Sequence, residues 1–356
     1  MSTLRVEALE QPDGTAFVFN NKNLLINGGM NVWQRSTSTA SITTSAYHTV
    51  DRWQTIINTQ GTWTQSRSTD VPSGQGFGYS LKMDCTTADA SPAAGDYLIL
   101  QQKLEGQNLQ HLLKGTSSAK KVTLSFWVKS NKTGTYIAEL YDQDNSRHIS
   151  KAYTIDTAST WEKKELVFDG DTSGTLDNDN ALSLIVDFFL GAGSDHTSGT
   201  LATSWQSNTT ANRAVGQVNL ADSTSNEWYM TGCQLEVGST ASGFEFEPYE
   251  RILHKCHRYF VQDVFAYAGT MGGGSATVPL SIVQFPVRMR QGPTVTWISG
   301  GTVSDGVNDS TISSQNSTQN INPFSCRVLF NRSGASSVTG RGCDIRGVTM
   351  KYDAEL

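Results

Sequence analysis

The sequence predicts an all-β protein, and three observations carry that prediction. Hydroxyl side chains make up 22% of it, 39 Ser and 40 Thr among 356 residues, beside 32 Gly. Thr suits extended backbone, whereas Ser, Asn and Gly suit the turns between strands. Several stretches alternate apolar and polar residues, the period of a strand with one buried face. Long runs of strong helix formers are scarce. The expected layout is an N-terminal hairpin (1–22), a central jelly-roll β-sandwich (23–250) and a smaller C-terminal β-domain (251–356).

The hairpin is expected from two short strands, Thr3–Glu10 and Thr15–Asn20, joined by Pro12-Asp13-Gly14. A hairpin this small is marginal in water, so its apolar positions Leu4, Val6, Phe17 and Phe19 call for a partner surface. From Leu24 to Tyr249, β signals follow one another between Gly, Ser, Asn and Asp clusters. Val122, Leu124, Phe126 and Val128 share one face of a strand, with Thr123, Ser125, Trp127 and Lys129 on the other. Leu182, Leu184, Val186, Phe188 and Leu190 form a second such face, opposite Ser183, Ile185, Asp187 and Phe189. Strands of this kind pack as two antiparallel sheets. Glu105–Lys114 is the helical candidate, stopped by Gly115.

Residues 250–260 mark the domain boundary as a charged linker, because the charge balance changes there. Residues 251–356 carry 10 basic and 6 acidic side chains, and residues 1–250 carry 17 and 27. Beyond it, strands are expected at 276–284, 293–298, 326–331 and 345–352, with 299–322 a long loop or an exposed hairpin.

A net charge of −6 argues against nucleic acid as a partner. The most apolar window, 182–193, is far short of a membrane helix and contains Asp187, so no membrane insertion is expected. Nor does the N-terminus read as a secretory signal. The five cysteines, Cys85, Cys233, Cys256, Cys326 and Cys343, lack CxxC pairing. Free thiols are the default, with a Cys326–Cys343 bridge the alternative.

Signatures of catalysis are absent: no GxSxG, no HExxH and no phosphate-cradling Gly-Lys-Ser/Thr loop. His254 and His257 read as solvated rather than as metal ligands. Glu245 and Glu247 read as solvent-facing, with Phe244 and Phe246 buried between them. Asp169, Asp171 and Asp177 have the spacing of a Ca²⁺ loop, but Asn180 stands where the bidentate Glu belongs, so a metal-free turn is the favoured reading and no cofactor is expected. Trp127, Lys129 and Asp187, opposite the apolar faces, are the candidate ligand-binding residues: an aromatic ring beside polar groups on an exposed sheet suits a sugar. Cover of those faces by another domain or subunit is the competing reading.

Six segments taken together resemble a family. Asn23-Leu-Leu-Ile-Asn-Gly-Gly-Met-Asn-Val-Trp-Gln-Arg35, Tyr47-His-Thr-Val-Asp-Arg-Trp53, Leu124-Ser-Phe-Trp-Val-Lys-Ser130, Thr160-Trp-Glu-Lys163, Gly170-Asp-Thr-Ser-Gly174 and Gly232-Cys-Gln-Leu-Glu-Val-Gly238 resemble, in order, the jelly-roll module of tailed-phage virion proteins. These are tail fibres and related appendages, widespread in marine phages. Cys256-His-Arg-Tyr-Phe260, followed by Phe285-Pro-Val-Arg-Met-Arg290 and Pro293-Thr-Val295, resembles their C-terminal β-domain. The resemblance implies a non-enzymatic virion protein, assembled in the host cytoplasm, that is a homotrimer attached to other virion proteins through residues 1–22. It further implies recognition of host-surface glycan, by analogy with carbohydrate-binding modules. A head-decorating or connector protein and a polysaccharide-degrading spike are the alternatives.

Overall fold

The computed structural model describes residues 22–270, 277–304, 306, 309–333 and 342–356. The expected N-terminal hairpin, with Leu4, Val6, Phe17 and Phe19, lies outside the described residues. The all-β expectation holds: two six-stranded antiparallel sheets are followed by a closed six-stranded barrel.

The sandwich strands are β1 (Ser38–Ile42), β2 (Gln54–Asn58), β3 (Thr62–Ser68), β4 (Ser80–Thr87), β5 (Tyr97–Glu105), β6 (Val122–Ser130), β7 (Gly134–Asp142), β8 (Arg147–Ile155), β9 (Glu162–Phe168), β10 (Leu182–Ala192), β11 (Gln206–Ser207) and β12 (Glu227–Val237). The first sheet has the order β1-β3-β4-β12-β6-β9 and the second β11-β8-β7-β10-β5-β2, so the chain crosses repeatedly between sheets in jelly-roll fashion. Alternation sets the faces as expected. Leu124, Phe126 and Val128 of β6 meet Val186, Phe188 and Leu190 of β10 in one core. Phe126 sits edge-on to Phe188 across the sandwich, with ring centroids 5.0 Å apart. The edge strand β9 is charged rather than apolar along its rim, with Lys163 paired to Glu165 and Lys164 to Glu162.

The barrel runs β13 (Phe260–Thr270), β14 (Thr277–Gln284), β15 (Thr294–Ser304), β16 (Asp309–Gln319), β17 (Ser325–Ser333) and β18 (Gly342–Asp353), closing in the order β13-β14-β17-β16-β15-β18. Its own core includes Val303, Ile312, Val328, Phe330, Ile345 and Met350. Closure bends β15 against β18 at Gly300, whose φ is +73°; a Cβ there would stand 2.5 Å from the Gly347 carbonyl. Among the described residues of the polar stretch 299–322, β15 and β16 pair antiparallel, Thr302 with Thr311 and Ser304 with Asp309, as in the hairpin form of the two expected.

Three local expectations are corrected. Residues 105–114 form two 3₁₀ turns, Gly106–Asn108 and Gln110–Leu112, instead of one helix. Only Leu109 and Leu112 find the core there, and Leu113 is exposed in the left-handed region. The supposed charged linker contains a helix, α2 (Tyr249–His257), preceded in the chain by the single-turn α1 (Ser194–Thr197). Ile252 and Cys256 of α2 pack on Val32, and Glu250 and Lys255 lie at the ends that suit their charges. Around Glu245 the faces are reversed: Glu245 is buried and accepts the Asn23 amide at 2.9 Å, while Phe246 is 55% exposed. Glu247 pairs with Lys255 and Arg251. All five cysteines are free and buried.

Sandwich and barrel meet through guanidinium groups. Arg52, 1% exposed, pairs with Glu355, donates to the Lys103 carbonyl at 2.6 Å and lies 3.5 Å from the Tyr259 ring centroid. Arg258 forks the buried Glu105 at 2.7 and 2.6 Å, and the Tyr259 hydroxyl donates to the same carboxylate.

Candidate functional site

The outer face of the second sheet carries a polar row produced by strand register. Gln54 of β2 stands opposite Gln101 of β5, Gln101 opposite Asp187 of β10, Asp187 opposite Glu139 of β7, and Glu139 opposite Ser150 of β8. The inward alternation of each strand leaves these residues pointing away from the core. Apolar and aromatic positions flank the row on the same face: Ile56, Ile99 and Tyr97 on one side, Ile185 and Tyr141 on the other. These flanking residues, with Gln101 and Asp187 of the row, line an open groove of about 280 Å³.

The segment after β10 builds one wall. His196 of α1 is buried against Tyr97, with ring centroids 5.0 Å apart. Arg213 lies across the face, 5.1 Å from the Tyr141 centroid and 5.5 Å from that of Phe189. Its guanidinium donates to both oxygens of Glu139, at 3.0 Å from Nε to Oε2 and 3.1 Å to Oε1, and to Oδ2 of Asp187 at 3.2 Å. His148 adds a fourth member, its Nδ1 2.7 Å from Glu139 Oε1. Gln101 donates to Gln54 at 2.7 Å.

Two carboxyls on one cation diverge. Burial pushes the Asp187 pKa up to about 8, against the pull of Arg213, and the charge of Glu139 pushes it the same way. Glu139 is held below the usual carboxylate range by Arg213 and His148, although burial works against this. Asp187 is therefore the neutral partner near neutral pH. Its Oδ1, and Nδ1 of His196, find no hydrogen-bond partner among the described residues, although both side chains are buried and line the groove.

The candidate ligand-binding residues are separated by this geometry. Asp187 is in the groove, whereas Trp127 and Lys129 lie on the outer face of the other sheet, across the sandwich. Lys129 is already engaged: it pairs with Asp70 and sits 4.2 Å from the Tyr229 ring centroid. Asp70 also accepts the Trp161 indole N–H at 2.8 Å. Trp127 is half-buried. Tyr97, Tyr141, Gln101 and Glu139 escaped notice in the sequence, although alternation along β5 and β7 assigns them to the same outward faces. Arg213 and His196 come from irregular segments that carry no periodic signal.

The candidate calcium residues do not converge. Asp169 pairs with Lys121 at the surface, and Asp177 is exposed. Asp171 is buried, with its oxygens taken by Lys114 at 2.9 Å and Arg147 at 2.7 Å. Among the described residues, no group of three His, Cys, Asp or Glu side chains is placed to hold a metal ion. No helix among them is long and apolar enough to cross a membrane.

These features define a jelly-roll-type β-sandwich with a groove across one sheet, joined to a small barrel. No known protein-family profile matches the chain, and no curated protein matches it. Solved structures similar to it include the enzymatically active domain of tailspike protein 4 from bacteriophage CBA120, at 14% identity and a TM-score of 0.31 over 64% of this chain. The chain spans 23% of that tailspike's length. They also include a family 11 carbohydrate-binding module from Clostridium thermocellum in complex with a mixed-linked β-1,3-1,4 tetrasaccharide, at 13% identity and a TM-score of 0.29, covering 54% of this chain and 91% of the module. A third is a family 61 carbohydrate-binding module in complex with β-1,4-galactotriose, at 11% identity and a TM-score of 0.31, covering 61% of this chain and all of the module.

Proposed function

We propose that the protein is a non-enzymatic glycan-recognition protein of a tailed-phage particle, a tail fibre or similar appendage, and that it holds a host-surface saccharide in the groove of its second sheet. The observation that carries the reading is an open groove across an outward sheet face, lined by Tyr97, Tyr141, Gln101 and the exposed Gln143. A pyranose offers an apolar C–H face and a rim of hydroxyls. The tyrosines suit the face, while Gln101 and the exposed Gln143 suit the rim. Turnover is not part of the reading: Glu139 is fully buried and locked by Arg213 and His148, so the groove does not present the carboxylate pair that glycoside hydrolysis uses.

The virion role rests on the sequence resemblance, as do threefold assembly and attachment through residues 1–22. Several copies on one particle would convert weak single contacts into firm attachment, raising apparent affinity by ~10²–10⁴. The test is a glycan array followed by calorimetry on the purified chain. Tyr141→Ala is expected to weaken the best ligand by about tenfold or more while leaving the fold intact. Equal binding by the variant would move the site elsewhere; release of reducing sugar would make the protein a depolymerase instead. No binding to any glycan, with normal incorporation into particles, would favour a decorating or connector role.

A further inference from the structure

A second opening lies where sandwich and barrel meet, and it differs in chemistry from the sheet groove. It encloses about 350 Å³ and is lined by Gln107, Asp179, Asn180, Arg258, Arg288 and Arg290, none of which lines the groove. The sandwich supplies the first three from the turn after β5 and the loop before β10. The barrel side supplies the arginines, from the end of α2 and from the connection between β14 and β15.

The three guanidinium groups are not equally occupied. Arg258 is committed to Glu105. Arg290 is fixed by neutral carbonyls: it donates to Ala354 at 2.8 Å, to Glu355 at 2.9 Å and to Asn180 at 3.3 Å, and its own carbonyl accepts the Asn180 amide at 2.6 Å. Arg288 is exposed and makes no hydrogen bond with any described residue; it lies 5.3 Å from the ring centroid of Phe324, itself 58% exposed. Among the described residues, no carboxylate pairs with Arg288 or Arg290. The acidic side chain in the lining, Asp179, is turned to its own loop, where it accepts the Ala181 amide at 2.8 Å.

We propose that this junction pocket binds the carboxylate of an acidic sugar residue, with Arg288 and Arg290 receiving the anion. Guanidinium presents a planar fork of donors that matches a carboxylate in two parallel hydrogen bonds. The stack on Phe324 and the clamp of carbonyls hold the two groups ready. Next to the pocket, the exposed Phe324 ring beside Arg288 suits the C–H face of a pyranose, a feature a bare inorganic anion does not use. Nucleic acid, whose phosphates extend far beyond a single pocket, is disfavoured by the chain's net charge of −6. This site stands apart from the sheet groove and does not depend on it.

The experiment is calorimetry on the full chain with trigalacturonate, uncharged galactotriose and sodium sulfate. Trigalacturonate is expected to bind, and raising NaCl from about 0.05 to about 0.5 M is expected to weaken it severalfold. Arg288→Gln is expected to reduce its affinity by about tenfold or more, with Arg288→Lys in between. Because Arg288 is exposed and unpaired, an unchanged melting curve separates this loss from misfolding. Tyr141→Ala, which disables the sheet groove, is expected to leave trigalacturonate binding unchanged. The proposal is overturned if trigalacturonate does not bind, if galactotriose binds as tightly and is weakened equally by Arg288→Gln, or if Arg288→Gln has no effect on trigalacturonate. Sulfate binding as tightly would show an anion pocket without sugar recognition, and loss of trigalacturonate binding on Tyr141→Ala would place the acid in the groove. Either result overturns the assignment.

Discussion

Asp187 and Glu139 stand directly opposite one another on adjacent strands, and one guanidinium, that of Arg213, reaches both. Like charges at that separation do not coexist in a buried setting, and Arg213 supplies a single positive charge for two acids. One of the acids stays protonated, and the environment selects Asp187.

Removing the shared cation should be costly. Arg213→Ala leaves Glu139 as a buried charge without its guanidinium, with His148 and the Ser150 hydroxyl beside it, and the expected loss of stability is about 3–5 kcal/mol. Urea denaturation monitored by tryptophan fluorescence measures it. Adding Glu139→Gln to Arg213→Ala should recover part of the loss, and no recovery would contradict the account.

Asp187 should make the protein less stable as pH rises. Its folded pKa, about 8, lies above the ordinary carboxylate value, so the folded state holds a proton that the unfolded chain releases. The contribution is complete below the unfolded pKa of about 4 and declines as pH approaches and passes the folded value. Asp187→Asn removes this dependence. The difference in melting temperature, variant minus parent, should grow between about pH 5 and pH 8; a constant difference would show that Asp187 is ionised throughout.

At the sandwich–barrel junction, Glu355→Gln strips the fully buried Arg52 of its carboxylate. The expected cost is about 3–5 kcal/mol, read as a lower midpoint in differential scanning calorimetry. A surface pair such as Lys163–Glu165 provides the control, and Glu165→Gln should change stability by no more than about 0.5 kcal/mol.

Gly28 should not tolerate a side chain. A Cβ there would meet the Cys233 carbonyl oxygen at 1.9 Å, and the Gly28 carbonyl already receives the Cys233 amide at 2.9 Å. Gly28→Ala is expected to cost about 1–3 kcal/mol by forcing the two backbones apart. An unchanged denaturation midpoint would contradict so close an approach.

Trp127→Ala and Tyr141→Ala should behave differently. Trp127 is half-buried on the first sheet and Tyr141 half-buried in the groove of the second. Glycan affinity is expected to fall for Tyr141→Ala and to be unaffected for Trp127→Ala, with calorimetry on the same ligand as the check.

Local alternation was enough to foresee both faces of β6 and β10, because a period of two needs only neighbouring residues. It placed Trp127 and Asp187 on outward faces but could not say that the two faces belong to different sheets. That depends on pairings such as Asp187 with Gln101, 86 positions away in the chain. The polar row across the second sheet is a product of register between distant strands, and Arg213 enters it from an irregular segment. The reversal at Glu245 and Phe246 has a similar cause. Glu245 is buried because Asn23, 222 residues earlier, presents its amide there, and no local pattern encodes that meeting.

The charges along β9 bear on what a second chain could do at that edge. An open sheet edge is a template on which a second chain can add its own strand, and local concentration on an assembled particle multiplies such encounters. Lys163 and Lys164, each matched to a glutamate on the same strand, would have to be stripped of water and parted from those glutamates before a neighbour could add on. A strand from a second chain therefore does not add readily at this edge.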